Sequence, residues 1–134
     1  MLITRQTDYA IRILRALADE EQRSAKEITE AEGVPQQFSY KIMKKLEKAG
    51  YIQIKRGAEG GCSLSMDLHK VSLYDLMAVM GDEALMISCM DGSFECTRPG
   101  NEKRCSVHRK LCRIQNSLVQ QLKDCTLYEL FYEP

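Results

Sequence analysis

The stretch SAKEITEAEGVPQQFSYKIMKKLEKAGYIQIKRGAEGG, residues 24–61, decides the fold. Ser24 with Glu27 three residues later is a capping box: the serine covers free amides and the glutamate reaches back. It predicts a short helix with Ile28 and Ala31 inward. Glu32-Gly33-Val34 makes a tight connection. Pro35 suits the first turn of the next helix, where its missing N–H would be unpaired anyway. That helix is expected to turn Phe38, Ile42, Met43 and Leu46 inward and to stop at Gly50, the left-handed residue past a helix end. Two short helices joined through a glycine form a helix-turn-helix. Residues 51–55 then alternate as a strand, residues 57–61 form a glycine-rich tip, and residues 62–66 return as a second strand. A basic β-hairpin directly after a helix-turn-helix is a wing.

Upstream, a first helix is predicted from Thr4 or Thr7 to Ala18, with Ala10, Leu14 and Leu17 on one stripe and Ile11 and Ile13 widening it. Downstream, Ser72-x-x-Asp75 opens a helix carrying Leu73, Leu76, Met77 and Met80, stopped by Gly81. Residues 82–104 have no periodicity and contain Gly92, Pro99 and Gly100. A loop this long is a functional segment or a disordered one. Helical period returns over 105–124 with Val107, Leu111, Ile114, Leu118 and Leu122, and Cys125 continues the stripe. Thr126-x-x-Glu129 opens a last short helix. The expected architecture is mostly α with a small β-hairpin wing. It divides into a winged helix-turn-helix domain (1–81), a cysteine-containing loop (82–104), and a long helix with a C-terminal cap (105–134).

The chain has 134 residues, the length of one domain, with 19 basic and 19 acidic side chains. The formal net charge is zero, which by itself points to no polyanion. The charge is unevenly placed, however. Residues 38–56 carry Lys41, Lys44, Lys45, Lys48, Lys55 and Arg56 against Glu47 alone, a local +5, while 82–95 hold four acidic residues and no basic one. A solvated helix face has this composition too; the wing beside it favours nucleic acid. No apolar run nears the roughly 20 residues that span a bilayer, and the start MLITRQTDYAIR lacks a signal peptide's apolar core. A cytoplasmic location without a membrane partner is expected.

In a winged helix-turn-helix the second helix enters the major groove by its N-terminal residues. Here these are Gln36, Gln37, Ser39, Tyr40 and Lys41. Gln pairs with adenine and Lys donates to guanine. Lys44, Lys45 and Lys48 lie further along, suited to phosphates. Arg56 leads the wing tip, where Gly57 and Gly60 permit close backbone approach. Thr4, Arg5 and Tyr9 are weaker phosphate candidates. Phe38 is expected to pack.

The frame TRQTDYAIRIL…KEITEAEGVPQQFSYKIMKKLEKAGYI…RGAEGG resembles the Rrf-type winged-helix transcription regulators (IscR-, NsrR- and CymR-like) across nearly the whole chain. The RG-x-x-GG wing and the LxKAG end of the reading helix carry the likeness. The resemblance implies a homodimer paired through helix 105–124 on a roughly palindromic double-stranded DNA operator. It also implies, in many members, an iron–sulfur cluster of two or four irons held by three cysteines. The matching positions are Cys89, Cys96 and Cys105, spaced C-x6-C-x8-C, and His108 stands where IscR-like proteins have a histidine ligand. Cys105, His108 and Cys112 share one helix face, so His108 or Cys112 is the expected fourth ligand; Asp8 from the other subunit is a further candidate. The departures are a stretched cysteine spacing, the extra Cys112, and Cys62 where members usually carry Tyr.

The function so implied is a regulator, a repressor, reporting iron–sulfur supply, redox state or nitric oxide. Three other uses of the cysteines stay open. Zinc takes Cys/His sets but favours close C-x2-4-C pairs, which are missing. Cys89 and Cys96 in one loop form a thiol switch if oxidised, making a cluster-free thiol- or partner-sensing regulator of the same fold. Packing is the reading for Cys62 and Cys125. A small iron–sulfur electron carrier is the alternative of another class, and a Lys-rich reading helix has no purpose in one. Nothing resembles a catalytic constellation: Gly57–Gly61 lacks a P-loop's GK[ST] ending, and only His69 and His108 are available for acid–base work. No enzyme activity is expected.

Overall fold

The computed structural model describes residues 2–98 and 105–134; Met1 and the end of the sensor loop, 99–104 with its Pro99 and Gly100, lie outside them. The elements run α1 (Arg5–Ala16), α2 (Ala25–Glu32), α3 (Gln36–Lys48), β1 (Ile52–Lys55), β2 (Gly61–Leu64), α4 (Leu73–Met80), a 3-10 turn (Ser88–Met90), α5 (Ser106–Asp124) and α6 (Leu127–Tyr132). This is a mostly α winged helix-turn-helix with a two-stranded antiparallel wing.

Local signals set the boundaries. Ser24 and Glu27 form the capping box of α2, Ser72 and Asp75 that of α4, and Thr126 and Glu129 that of α6. Gly33 ends α2 at φ 63°, in the left-handed region where a side chain is strained. Pro35 takes the N-cap of α3, one position earlier than the first-turn place assigned to it. In the wing, Ile52 faces Leu64 and Lys55 faces Gly61. Gly60 sits so close beneath the strand end that a Cβ there would lie 2.2 Å from the Lys55 carbonyl oxygen, so no other residue fits unshifted.

The core joins α1, α2, α3, the wing, α4 and α6. Ile13, Leu14, Leu17, Ile28, Ile42, Leu46, Leu76 and Leu127 all reach 1% exposure or less. Truncating one such residue to alanine costs about 2–5 kcal/mol. Ala31, expected inside, is exposed; Thr29 and Val34 are buried there instead. A second, smaller cluster packs Leu73 and Met77 of α4 on Leu122 of α5, with Leu118 beside them. The C-terminal end of α5 is tied down further: Leu73 N–H donates to the Cys125 carbonyl at 2.8 Å and Leu127 N–H to the Val71 carbonyl at 2.9 Å. The far end of α5 is therefore anchored to the winged domain, while its N-terminal half meets the sensor loop.

Candidate nucleic-acid interface and cysteine site

The reading helix α3 buries Ser39, Ile42, Met43 and Leu46 and leaves the opposite face open. Gln36, Gln37, Tyr40, Lys41, Lys44 and Lys48 are exposed on it, as are Arg56 and Gly57 on the wing. Two expected contacts are corrected. Ser39 is fully buried and its hydroxyl donates to the Gln36 carbonyl at 2.8 Å, so it cannot meet a base edge. Lys45 is half-buried, its ammonium donating to Gln6 Oε1 at 3.1 Å and the Met80 carbonyl at 3.4 Å; it braces α3 against α1 and α4. Phe38 is the reverse case. Expected in the core, it is 46% exposed, its ring stacked on Tyr9 at 6.2 Å between centroids.

The start of α1 is also more internal than expected. The Thr4 hydroxyl accepts from Thr7 N–H as the helix cap and donates to Asp82 Oδ1 at 2.8 Å, leaving nothing for a phosphate. Tyr9 is half-buried, with the Arg5 and Arg12 guanidinium groups each 5.9 Å from its ring centre. Arg5 stays exposed beside Asp8. Burial alone would raise the Asp8 carboxyl, but hydrogen bonds from Arg12 and Arg5, both at 3.2 Å, outweigh it and hold it below the ordinary range. Asp8 is thus already committed to two cations of its own helix.

The cysteines separate into two kinds. Cys62 is 2% exposed in the wing base, its thiol against Met43 Sδ at 3.9 Å, and burial pushes its pKa up. Cys125, at the end of α5, is raised by burial too. Cys62 packs in the main core cluster, whereas Cys125 is half-buried with its thiol 3.8 Å from the Thr126 carbonyl. At the other end of α5 the opposite holds. Cys105 is the N-cap, and its sulfur accepts the His108 N–H at 3.5 Å. That bond, with Arg98 Nη1 also 3.5 Å away, holds the thiol below its usual range despite a small opposing effect of burial. A helix N-terminus beside a guanidinium favours thiolate.

Around this cap the structure gathers further donors. The 3-10 turn brings Cys89 Sγ to 3.4 Å from His108 Nδ1, and one helical turn on, Cys112 Sγ lies 3.3 Å from His108 Nε2. Cys89 and Cys112 thus flank the His108 imidazole, while Cys105 meets the same residue at its backbone N–H. Cys96 is exposed. Among the described residues no three His, Cys, Asp or Glu side chains converge on a single ion position, because the His108 ring lies between the sulfurs. The donor chemistry nevertheless suits an iron–sulfur cluster, which is held by soft thiolates and occupies more room than one ion. Arg98, Gln6 and Asp82 were not singled out from sequence; each acts through a tertiary contact that no local pattern announces.

Residues 3–133 match the Rrf2 family, described as an iron-dependent transcriptional regulator. The chain is 29% identical over 133 residues to protein aau3 of Rhizobium meliloti, covering 97% of this chain and 84% of that one. It is 29% identical over 138 residues to the HTH-type transcriptional repressor NsrR of Streptomyces coelicolor, covering 100% and 90%. The solved structure of CymR, the global cysteine regulator of Bacillus subtilis, shares the fold: TM-score 0.77 at 21% identity, over 100% of this chain and 98% of that one. The matched family is one of transcriptional regulators, not enzymes, and no helix among the described residues is long and apolar enough to cross a membrane. The chain belongs to the Rrf2 family of transcriptional regulators.

Proposed function

We propose that the protein is a homodimeric, operator-binding repressor whose sensor loop and α5 hold an iron–sulfur cluster reporting iron–sulfur supply, redox state or nitric oxide. The gathering of Cys89, Cys105, His108 and Cys112 within 3.3–3.5 Å contacts at the head of α5 carries this reading. Cys96, on the loop between Cys89 and Cys105, is the third loop ligand, and the cluster supplies a centre whose charge and stability respond to redox agents. Gln36, Gln37, Tyr40 and Lys41 read base edges; Lys44, Lys48 and Arg56 hold phosphates. The partner chain covers α5, where Val107 is 61% and Ile114 55% exposed on a helix about 28 Å long.

The coupling is a two-state one. Cys89 and Cys96 of the loop and Cys105 at the head of α5 would hold the cluster together, and α5 is anchored at its far end to the winged domain. Ordering the loop therefore biases the spacing of the two heads in the dimer. Protein prepared without oxygen is expected to contain iron and acid-labile sulfide and to change operator affinity when the cluster is removed. Identical affinity with and without cluster sinks the proposal.

A second reading is favoured by the exposed Cys96 thiol and by the His108 N–H and Arg98 guanidinium that lower the Cys105 pKa. It is a cluster-free thiol sensor of the same fold. Absence of sulfide, with operator affinity that responds to peroxide and recovers with a dithiol reductant, selects it.

A further inference from the structure

The placement of His108 has a consequence for the fourth ligand. Cys105, His108 and Cys112 lie along one face of α5, and the imidazole sits between sulfurs of the loop and the helix: Nδ1 faces Cys89 and Nε2 faces Cys112. An imidazole has two nitrogens, and both are occupied by sulfur neighbours. To bind iron through either, the ring must give up one of them. A neutral ring has one N–H, so beside thiolates it donates to one sulfur, a hydrogen bond of the kind that tunes a cluster's potential.

Cys112 has no competing explanation. It belongs to neither of the two core clusters among the described residues, unlike Cys62, and it is half-exposed beside the donors. Asp8, the remaining candidate, is engaged by Arg5 and Arg12. Counting thiols closes the set: residues 89–112 contain four cysteines, the number that binds either cluster type.

Resting on the cluster reading above, we propose that the cluster is held by four thiolates of one chain, Cys89, Cys96, Cys105 and Cys112. His108 is then a positioning residue, hydrogen-bonded to ligand sulfur and not bound to iron. All ligands come from one subunit, so each protomer assembles its own cluster.

The test uses full-length protein reconstituted anaerobically, as wild type, His108→Ala, Cys112→Ser and Cys112→Ala, with circular dichroism to check folding. Iron and sulfide content and pulsed electron paramagnetic resonance of the reduced cluster are read. Wild type is expected to show no coupling from an iron-bound nitrogen. His108→Ala should keep full iron and sulfide with a shifted reduction potential, and both Cys112 variants should lose cluster content several-fold while folded. A strong ligand-nitrogen coupling in wild type that vanishes in His108→Ala overturns the inference but leaves the cluster reading standing. A Cys112 variant with full content and an unchanged spectrum does the same. Wild type without iron or sulfide overturns the cluster reading and, with it, this inference.

Discussion

The Asp82 carboxylate, the first side chain of the sensor loop, accepts the hydroxyl proton of Thr7, a fully buried residue of the first helix. Thr4 adds its backbone N–H at 3.1 Å and its hydroxyl at 2.8 Å. One carboxylate thus braces the Thr4 cap of α1 and fixes the root of the loop to the winged domain. Replacing it by alanine strands a buried hydroxyl, which costs about 1–3 kcal/mol. Asp82→Ala is therefore expected to lower the urea midpoint of unfolding by a corresponding amount, with an unchanged slope. A midpoint equal to wild type at neutral pH removes the cap from the stability of the fold.

The same contact carries a pH dependence of definite sign. Burial alone would raise the Asp82 carboxyl, but the Thr7 and Thr4 hydrogen bonds and the nearby Lys45 charge hold it below its ordinary value. A group with a depressed folded pKa stabilises fully above its unfolded value, about 3.9, and loses that contribution as pH falls through the folded one. The stability gap between wild type and Asp82→Ala should thus be constant from neutral pH to about pH 5 and narrow below about pH 4. A gap that widens on acidification contradicts the assignment.

Lys44 and Lys45 are sequence neighbours with different roles. Lys44 is exposed, whereas Lys45 donates to Gln6 and to the Met80 carbonyl. Lys44→Ala should leave thermal stability unchanged and reduce the slope of log affinity against log salt by about 0.9, the value for one released counterion. Lys45→Ala should lower the melting temperature and change the slope little. Titrations of operator DNA at several salt concentrations, beside melting curves, distinguish the two. Equal salt slopes for both variants contradict the division.

The exposed stripe of α5 predicts a concentration-dependent assembly. Ile114 is 55% exposed within the single chain, so Ile114→Asp costs the isolated protomer little. In a dimer paired along α5 the same change buries an unpaired carboxylate, which strongly opposes association. Sedimentation velocity is expected to show a dimer for wild type and a folded monomer for the variant. Dimeric Ile114→Asp at micromolar concentration places the interface elsewhere.

What sequence could reveal followed the range of each interaction. The capping boxes at Ser24, Ser72 and Thr126 and the glycine stops are settled by residues three or four apart, and all appear in the structure. The edge of a helical stripe is less determinate. Phe38 lies at that edge, where Tyr9 of α1 stacks on it without enclosing it, and Ala31 turned outward because Thr29 and Val34 fill the site. Ser39 was legible after all: it precedes Ile42 and Met43 by three and four residues and shares their face. The Asp82–Thr7 contact and the Arg98–Cys105 approach had no periodic signature, since each depends on how the sensor loop folds back. For the proposed cysteine site, spacing left both His108 and Cys112 open as fourth ligand, and only the fold shows a sulfur facing each nitrogen of the His108 ring.

Gln37 is exposed at the head of α3, whereas Ser39, two residues on, is sealed with its hydroxyl on the Gln36 carbonyl. A glutamine bonded to adenine in two places contributes about 1–3 kcal/mol of discrimination against other bases. Gln37→Ala should therefore weaken binding to the preferred operator by about tenfold or more and flatten the preference at one base pair per half-site. Ser39→Ala removes only the buried hydroxyl that donates to the Gln36 carbonyl, so it should change stability modestly and base preference not at all. Selection from a randomised operator library reports both outcomes at once. A shifted base preference in Ser39→Ala, or an unaltered one in both Gln36→Ala and Gln37→Ala, would mean that α3 meets the groove by a different face.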